Sequence, residues 1–205
     1  FPTRRSSDLM TNILPSQDWE PAIGAAVQAG AEDVLLAAGH LPMCRILGDW
    51  IIPGGAEPLD AEIVESWLLD LATTEGWERL QKAGKVVFIR NWDENQRRLR
   101  VSAHRHIYGY VVTIRILPKE PPPLASLNPP KAFDGLLRLE SGIVLIGGAP
   151  DSGRSTLVAA AIEFINACAA RRIVYLGNPP EFVFTNHLSR IDVLEGPEDE
   201  SQWAL

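Results

Sequence analysis

A glycine-rich loop between two apolar segments is the feature that most restricts what this sequence can fold into. Residues 148–156 fit the pattern G-x-x-x-x-G-K-[ST], except that Arg154 stands where the lysine belongs. A β-branched segment, residues 142–146, leads into the loop, and an alanine-rich segment, residues 155–170, follows it. In a strand–loop–helix unit of this kind, backbone N–H groups and the helix N-terminus surround a phosphate. The sequence therefore predicts a P-loop that binds nucleotide phosphates.

Each position of this loop has an expected role. The basic side chain of Arg154 reaches the terminal phosphates, and the hydroxyl of Ser155 is offered to Mg²⁺. The residues assigned to nucleotide binding are Gly148, Asp151, Ser152, Gly153, Arg154, Ser155 and Thr156.

Two substitutions within the loop point against efficient chemistry. The planar guanidinium of Arg154 does not replace a compact ammonium between phosphates. The carboxylate of Asp151 repels phosphate if it faces the nucleotide, whereas an outward, solvated carboxylate has little effect. Both orientations of Asp151 are open at this point.

Composition and charge exclude several classes of protein. A formal charge of -7 and a pI near 5.1 argue against nucleic acid as the main partner. Cys44 and Cys168 are far apart and outside any metal-binding spacing, so we expect reduced thiols. His104 and His106 alternate along a predicted strand, but no third ligand is near, which favours solvated histidines. We find no apolar run of about 18 residues and no leader sequence, so we expect a cytoplasmic protein.

The two ends of the sequence are treated separately. Residues 1–9, FPTRRSSDL, match the translation of a common sequencing adapter, and we exclude them from the fold as a probable artefact. Residues 201–205 stop on an apolar residue in what is predicted to be the start of a helix. We therefore expect a fragment of a longer protein.

A proline-rich bridge divides the remaining sequence into two blocks. Residues 118–130 contain six prolines in thirteen positions and are predicted to form a semi-rigid linker. Residues 10–117 are predicted to be an α+β domain. Its helices are predicted at residues 18–30 and, as a longer and a shorter helix with a break near Gly76, within residues 59–82. Its strands are predicted at residues 34–37, 43–52 (turning around Gly48-Asp49), 85–90, 98–102 and 109–117. Residues 131–205 are predicted to begin an α/β domain with a parallel sheet, with helices at residues 131–139 and 155–170 and strands at residues 142–146 and 173–176.

Several local strings carry a resemblance to a known family. Gly30-Ala-Glu-Asp33 resembles a GASD turn, and Pro42-Met-Cys-Arg45 resembles a PPM-R hairpin. Residues 98–102 and 114–118 resemble the strands RFRVN and FRTIP, and residues 175–182 resemble the aspartate box TIEDPIEF. In this order, the strings are similar to those of the type IV pilus retraction and type II secretion ATPases, which are hexameric motors. The resemblance covers nearly all of residues 18–205.

The resemblance implies a PAS-like N-terminal domain, a flexible linker and a RecA-like ATPase domain, with ATP and Mg²⁺ held in a ring of subunits. Arg100 and Arg115 match two arginines that approach the nucleotide in the family. In the aspartate box, Gly177 and Asn178 replace an acidic pair, and Glu181 is the acidic residue that remains. The implied partners are related ATPases, in a homo-hexamer or hetero-hexamer, and platform proteins at the inner membrane, where the chain would be at most peripheral.

The resulting hypothesis is an ATP-binding protein of the motor family that has lost much or all of its hydrolysis. A slow but active ATPase and a non-enzymatic assembly subunit that keeps the fold are the alternatives. Whether the chain is an enzyme stays open, because the magnesium-binding strand, the catalytic glutamate and the histidine box of the family would lie beyond Leu205.

Overall fold

The computed structural model describes residues 18–92 and 96–196 of the 205 residues. The predictions for residues 1–9 and 201–205 lie outside the described residues. The chain divides into two compact units, with the boundary between Leu117 and Pro118. Within the described residues, no helix is both long and apolar enough to cross a membrane.

The first unit is built on a six-stranded sheet. Its strands are β1 (Asp33–Ala37), β2 (Met43–Ile46), β3 (Asp49–Ile51), β4 (Lys85–Trp92), β5 (Arg97–His106) and β6 (Gly109–Pro118). The strand order is β3-β2-β1-β6-β5-β4, and the pairs β1/β2, β1/β6, β2/β3 and β4/β5 are antiparallel. The tight turn between β2 and β3 contains Leu47 and Gly48, both with positive φ (51° and 89°).

Three helices complete the first unit: α1 (Trp19–Gln28), α2 (Ala61–Leu71) and α3 (Thr74–Ala83). The side chain of Thr73 accepts a hydrogen bond from the Gly76 N–H (3.1 Å) and so caps the start of α3. Gly84 ends the helix in the left-handed conformation, with φ 71°. The two helices predicted within residues 59–82 are present, but they separate at residues 72–73 rather than near Gly76.

The core of the first unit lies on one face of the sheet. Alternate strand residues such as Leu36, Val101 and Ile114 are buried in one cluster with the helix residues Trp67 and Leu68. Burying each such side chain contributes about 1.5–3 kcal/mol. Because side chains alternate across a strand, the residues between them lie on the opposite face, which we call the open face. The helices and strands predicted for residues 18–117 are confirmed, except for the position of the break between α2 and α3.

The second unit combines short helices, one long helix and a strand pair. Its elements are a 3₁₀ turn (Leu124–Leu127), α4 (Phe133–Leu136), α5 (Arg154–Cys168), β7 (Arg172–Gly177) and β8 (Arg190–Glu195). Strands β7 and β8 pair in parallel, from Arg172 opposite Arg190 to Gly177 opposite Glu195. A small core packs Leu124 and Phe133 against Ala160 and Ala161 of α5.

Charged side chains tie β7 to β8 at the surface. The half-buried carboxylate of Asp192 accepts hydrogen bonds from Arg190 (3.0 Å) and from Arg172 (3.4 Å). These hydrogen bonds, chiefly the one from Arg190, lower the pKa of Asp192 from its ordinary value. The proline-rich bridge also belongs to this unit, since the Lys119 carbonyl accepts a hydrogen bond from the Val183 N–H (3.1 Å).

Three predictions for the second unit need correction. The strand expected at residues 142–146 is an unpaired segment, in which Ile143 and Leu145 are 86% and 90% exposed. A strand needs a neighbour to satisfy its backbone groups, and no described strand pairs with this one. The helix expected at residues 131–139 is only the short α4. Strand β8 was not predicted, and it pairs in parallel with β7.

Candidate functional site

The glycine-rich loop leads directly into α5, as its spacing predicts. Gly153 is the N-cap residue of the helix and adopts the left-handed conformation, with φ 83°. Its carbonyl accepts the first helical hydrogen bond, from the Leu157 N–H (2.8 Å). Arg154 and Ser155 are exposed in the first turn, where the backbone N–H groups have no partner within the helix. This end of α5 therefore has the geometry of an anion site.

The loop curls back on itself before the helix begins. The Ser152 N–H donates to the Ala149 carbonyl (3.2 Å). A Cβ atom on Gly148 would lie 2.5 Å from the Ser152 hydroxyl oxygen, so the curl favours glycine at that position. Asp151 is exposed and has φ 60°, a left-handed conformation that aspartate tolerates better than most residues.

All seven residues predicted to bind nucleotide lie on this loop or in the first turn of α5. Six of them are exposed, and Thr156 is half-buried. Within the described residues, no group of three or more His, Cys, Asp or Glu side chains is arranged to hold a metal ion. The single hydroxyl of Ser155 fits Mg²⁺ that arrives with phosphate ligands and water, because Mg²⁺ is commonly held by only one or two protein groups together with substrate phosphates.

The aspartate-box segment leaves the sheet at the end of β7. Gly177 is the last residue of this strand, and a Cβ atom there would lie 2.6 Å from Cα of Pro180. The backbone at this point therefore has room for glycine alone. Glu181 is half-buried beside the buried Phe182, and the Asn178–Pro179 peptide bond is cis.

A pocket of about 360 Å³ lies on the open face of the first unit. It is lined by Asp33, Arg45, Trp50, Val87, Arg100, Ser102, Thr113 and Arg115. We call it the arginine pocket. The structure thus brings the two predicted arginines, Arg100 and Arg115, into one site with a third arginine. The glycine-rich loop lies in the second unit.

A buried carboxylate organises this pocket. Asp33 on β1 is directly opposite Arg45 on β2 and Arg115 on β6. Its Oδ1 accepts a hydrogen bond from Arg115 Nε (3.0 Å), and its Oδ2 pairs with Arg45 Nη2 (2.5 Å). The side chain of Asp33 is 5% exposed, against 17% for Arg45 and 34% for Arg115. Asp33 therefore fixes one guanidinium on each side of β1.

The comparisons with known proteins agree with these features. No family model matches the sequence. An uncharacterized protein of Escherichia coli (strain K12), YggR, is 34% identical over 167 residues, which are 82% of this chain and 50% of that protein. The type IV pilus retraction ATPase PilT of Pseudomonas aeruginosa is 26% identical over 158 residues, 77% of this chain and 45% of PilT.

Solved structures extend the likeness to the fold. The pilus retraction motor PilT with bound ADP matches with a TM-score of 0.76 and 26% identity, over 86% of this chain and 51% of that one. The chain is therefore similar to type IV pilus and secretion ATPases in sequence and in fold. The Legionella pneumophila ATPase DotB, at 22% identity and a TM-score of 0.68, shares the fold over 86% of this chain and 50% of its own. The chain spans about half the length of the curated relatives it matches.

Sequence reasoning missed one polar residue of the second unit. Asn166 is fully buried on α5, where its Nδ2 donates to the Thr185 carbonyl (2.7 Å) and its Oδ1 accepts from the His187 N–H (3.0 Å). Its carbonyl also accepts from the Leu188 N–H (3.0 Å). Asn166 thereby ties the chain that follows the aspartate box to the P-loop helix. A lone asparagine in an alanine-rich apolar helix was the available signal.

Two residues of the arginine pocket were also missed. Asp33 and Arg45 lie within the strings that carry the family resemblance, but sequence reasoning gave neither a role. The strand register supplies that role, because it sets both arginines beside one carboxylate.

Proposed function

We propose that this chain is an ATP-binding subunit of a type IV pilus or secretion motor, with weak or lost hydrolysis. The first unit is its PAS-like domain, and the second is the start of its RecA-like domain. The observation that carries the proposal is the glycine-capped start of α5, where the loop and the first turn present Arg154 and Ser155 to solvent. The similarity to pilus and secretion ATPases supports a nucleotide as the anion.

Each site residue has a role in this proposal. Backbone N–H groups of the loop and the first turn bind the phosphates, and the guanidinium of Arg154 neutralises their charge. The Ser155 hydroxyl would hold the Mg²⁺ that accompanies ATP. When bound, this ion would neutralise part of the phosphate charge. Arg100 and Arg115 are further phosphate-binding residues in this proposal.

Two features of the chain weaken hydrolysis. The exposed carboxylate of Asp151 adds negative charge to the loop that binds phosphate. At the aspartate box, Gly177 and Asn178 provide no carboxylate to order water or Mg²⁺. Glu181 is the acidic side chain that this segment retains, and we assign it that role.

The proposed setting follows from the family. The chain assembles with related ATPases in a hexameric ring, and it contacts platform proteins at the cytoplasmic side of the inner membrane. Pairing with an active relative would allow a subunit with weak hydrolysis to contribute nucleotide binding to the ring.

Calorimetric titration with MgATP tests the proposal. We expect binding that weakens at least about tenfold in Arg154→Ala, because a charge-assisted hydrogen bond contributes about 1.5–3 kcal/mol. Arg138→Ala is a matched control, since Arg138 is also exposed in the second unit, and it should change affinity less than about twofold. No binding at millimolar MgATP would refute the proposal in favour of a non-enzymatic assembly subunit. Phosphate release by the wild-type chain would show slow turnover.

A further inference from the structure

The arginine pocket contains more positive charge than the two arginines expected from the family. Three arginines and one carboxylate are among its lining residues, which gives a formal charge of +3 − 1 = +2. We propose that Arg45 is a third phosphate-binding residue and that Asp33 is a positioning residue. Asp33 orients the guanidinium groups of Arg45 and Arg115 so that both bind the same anion. The choice of a phosphate ligand rests on the proposed function.

The contacts of Asp33 support this assignment. Its carboxylate accepts a hydrogen bond from Arg115 and pairs with Arg45, so it orients both guanidinium groups. Planar guanidinium groups fixed in this way match the oxygens of a phosphate.

The surroundings of Asp33 indicate a positioning role rather than simple neutralisation. Its side chain is 5% exposed and lies on the central strand of the three, with one arginine opposite it on each neighbouring strand. Glu32, by contrast, is 53% exposed and lies 3.7 Å from Nε of Arg45. The two acidic residues carry the same charge, but only the buried one fixes the direction of both arginines.

This difference gives a test in which the two hypotheses predict opposite signs. The probe is tripolyphosphate, titrated calorimetrically at low salt into the full chain carrying Arg154→Ala and Ser155→Ala, so that the loop at α5 contributes little. Asp33→Asn and Glu32→Gln each remove one negative charge. If net charge alone attracts the anion, both changes should tighten binding.

We expect Glu32→Gln to leave binding unchanged or tighter by up to about threefold, and Asp33→Asn to weaken it at least about fivefold despite the more positive charge. Asp33→Glu should recover part of the loss, because it restores the carboxylate. Arg45→Ala should weaken binding about tenfold. Tighter binding in Asp33→Asn would overturn the inference, and so would the absence of tripolyphosphate binding in this background at millimolar concentration.

Folding of each variant is checked by circular dichroism and urea unfolding. If Asp33→Asn does not fold, Arg45→Lys decides the question, because it keeps the charge and removes the planar fork. Weakening by at least about threefold supports the positioned fork, and unchanged binding contradicts it. These outcomes are separate from the proposed function, which depends on how MgATP binding responds to Arg154 with Ser155 intact.

Discussion

The charge and the backbone conformation of Asp151 have separable effects, and two substitutions distinguish them. Asp151→Asn removes the charge and keeps a residue that tolerates φ 60°. Asp151→Gly removes the charge and also the steric cost of the left-handed conformation. The side chain is exposed, so the repulsion from a phosphate charge about 4 Å away is near the value in water, about 1 kcal/mol. That value corresponds to about a fivefold difference in Kd.

Titration calorimetry with MgATP at low and high salt measures this effect. Both variants should bind about fivefold more tightly than the wild type at low salt. At about 1 M salt, where the Debye length is about 3 Å, the gain should fall below about twofold. Thermal unfolding should show little change for Asp151→Asn and a gain of up to about 1 kcal/mol for Asp151→Gly, where the relief of the left-handed backbone exceeds the added entropy of the unfolded chain.

Unchanged affinity in both variants would refute the repulsion argument and would show that the Asp151 carboxylate points away from the nucleotide. Tighter binding in Asp151→Gly alone would assign the effect to the backbone of the loop. Arg154→Lys in the Asp151→Gly background should tighten binding further, because the compact ammonium is better suited to the space between phosphates.

Three further predictions concern stability. Asn166→Ala should lower the free energy of unfolding in urea by about 1–3 kcal/mol, because it removes the two hydrogen bonds that this buried side chain makes to the backbone at Thr185 and His187; a loss below about 0.5 kcal/mol would contradict the role given to Asn166. Gly177→Ala should cost about 1–3 kcal/mol, and less when Pro180→Ala frees the backbone; equal costs in both backgrounds would show that Pro180 does not restrain it. Burial raises the pKa of Cys44 to about 11 from 9.0, so its contribution to stability is complete below about pH 9 and is lost as the pH rises to about 11. Cys44→Ala should flatten that part of the pH profile, and an unaltered profile would exclude the thiol as its source.

The first unit was predictable because its signals are local. Alternation along β5 and β6 and helical spacing in α1 and α2 identify elements that bury one face each. The prediction of a paired strand at residues 142–146 was wrong because strand pairing depends on residues that are distant in the sequence. Its β-branched residues satisfy a local preference, but a strand exists only with a neighbour, and no described strand lies beside it.

The candidate site shows the same division between local and distant information. The glycine-rich loop was found from spacing alone, because its function depends on consecutive backbone groups. Asp33 and Arg115 are 82 positions apart, and only the order of the strands brings them together. Asn166 likewise forms hydrogen bonds with residues 19–21 positions away. The sequence does not indicate which residues these partners are.

The close approach at Gly177 limits how a carboxylate could be engineered into the aspartate-box segment. A substitution to aspartate or glutamate at this position would place Cβ 2.6 Å from Cα of Pro180. Because the proline ring also fixes the backbone dihedral φ of Pro180, such a substitution requires the path of residues 178–180 to change as well. Position 177 therefore accepts an acidic side chain only together with changes in the residues that follow it.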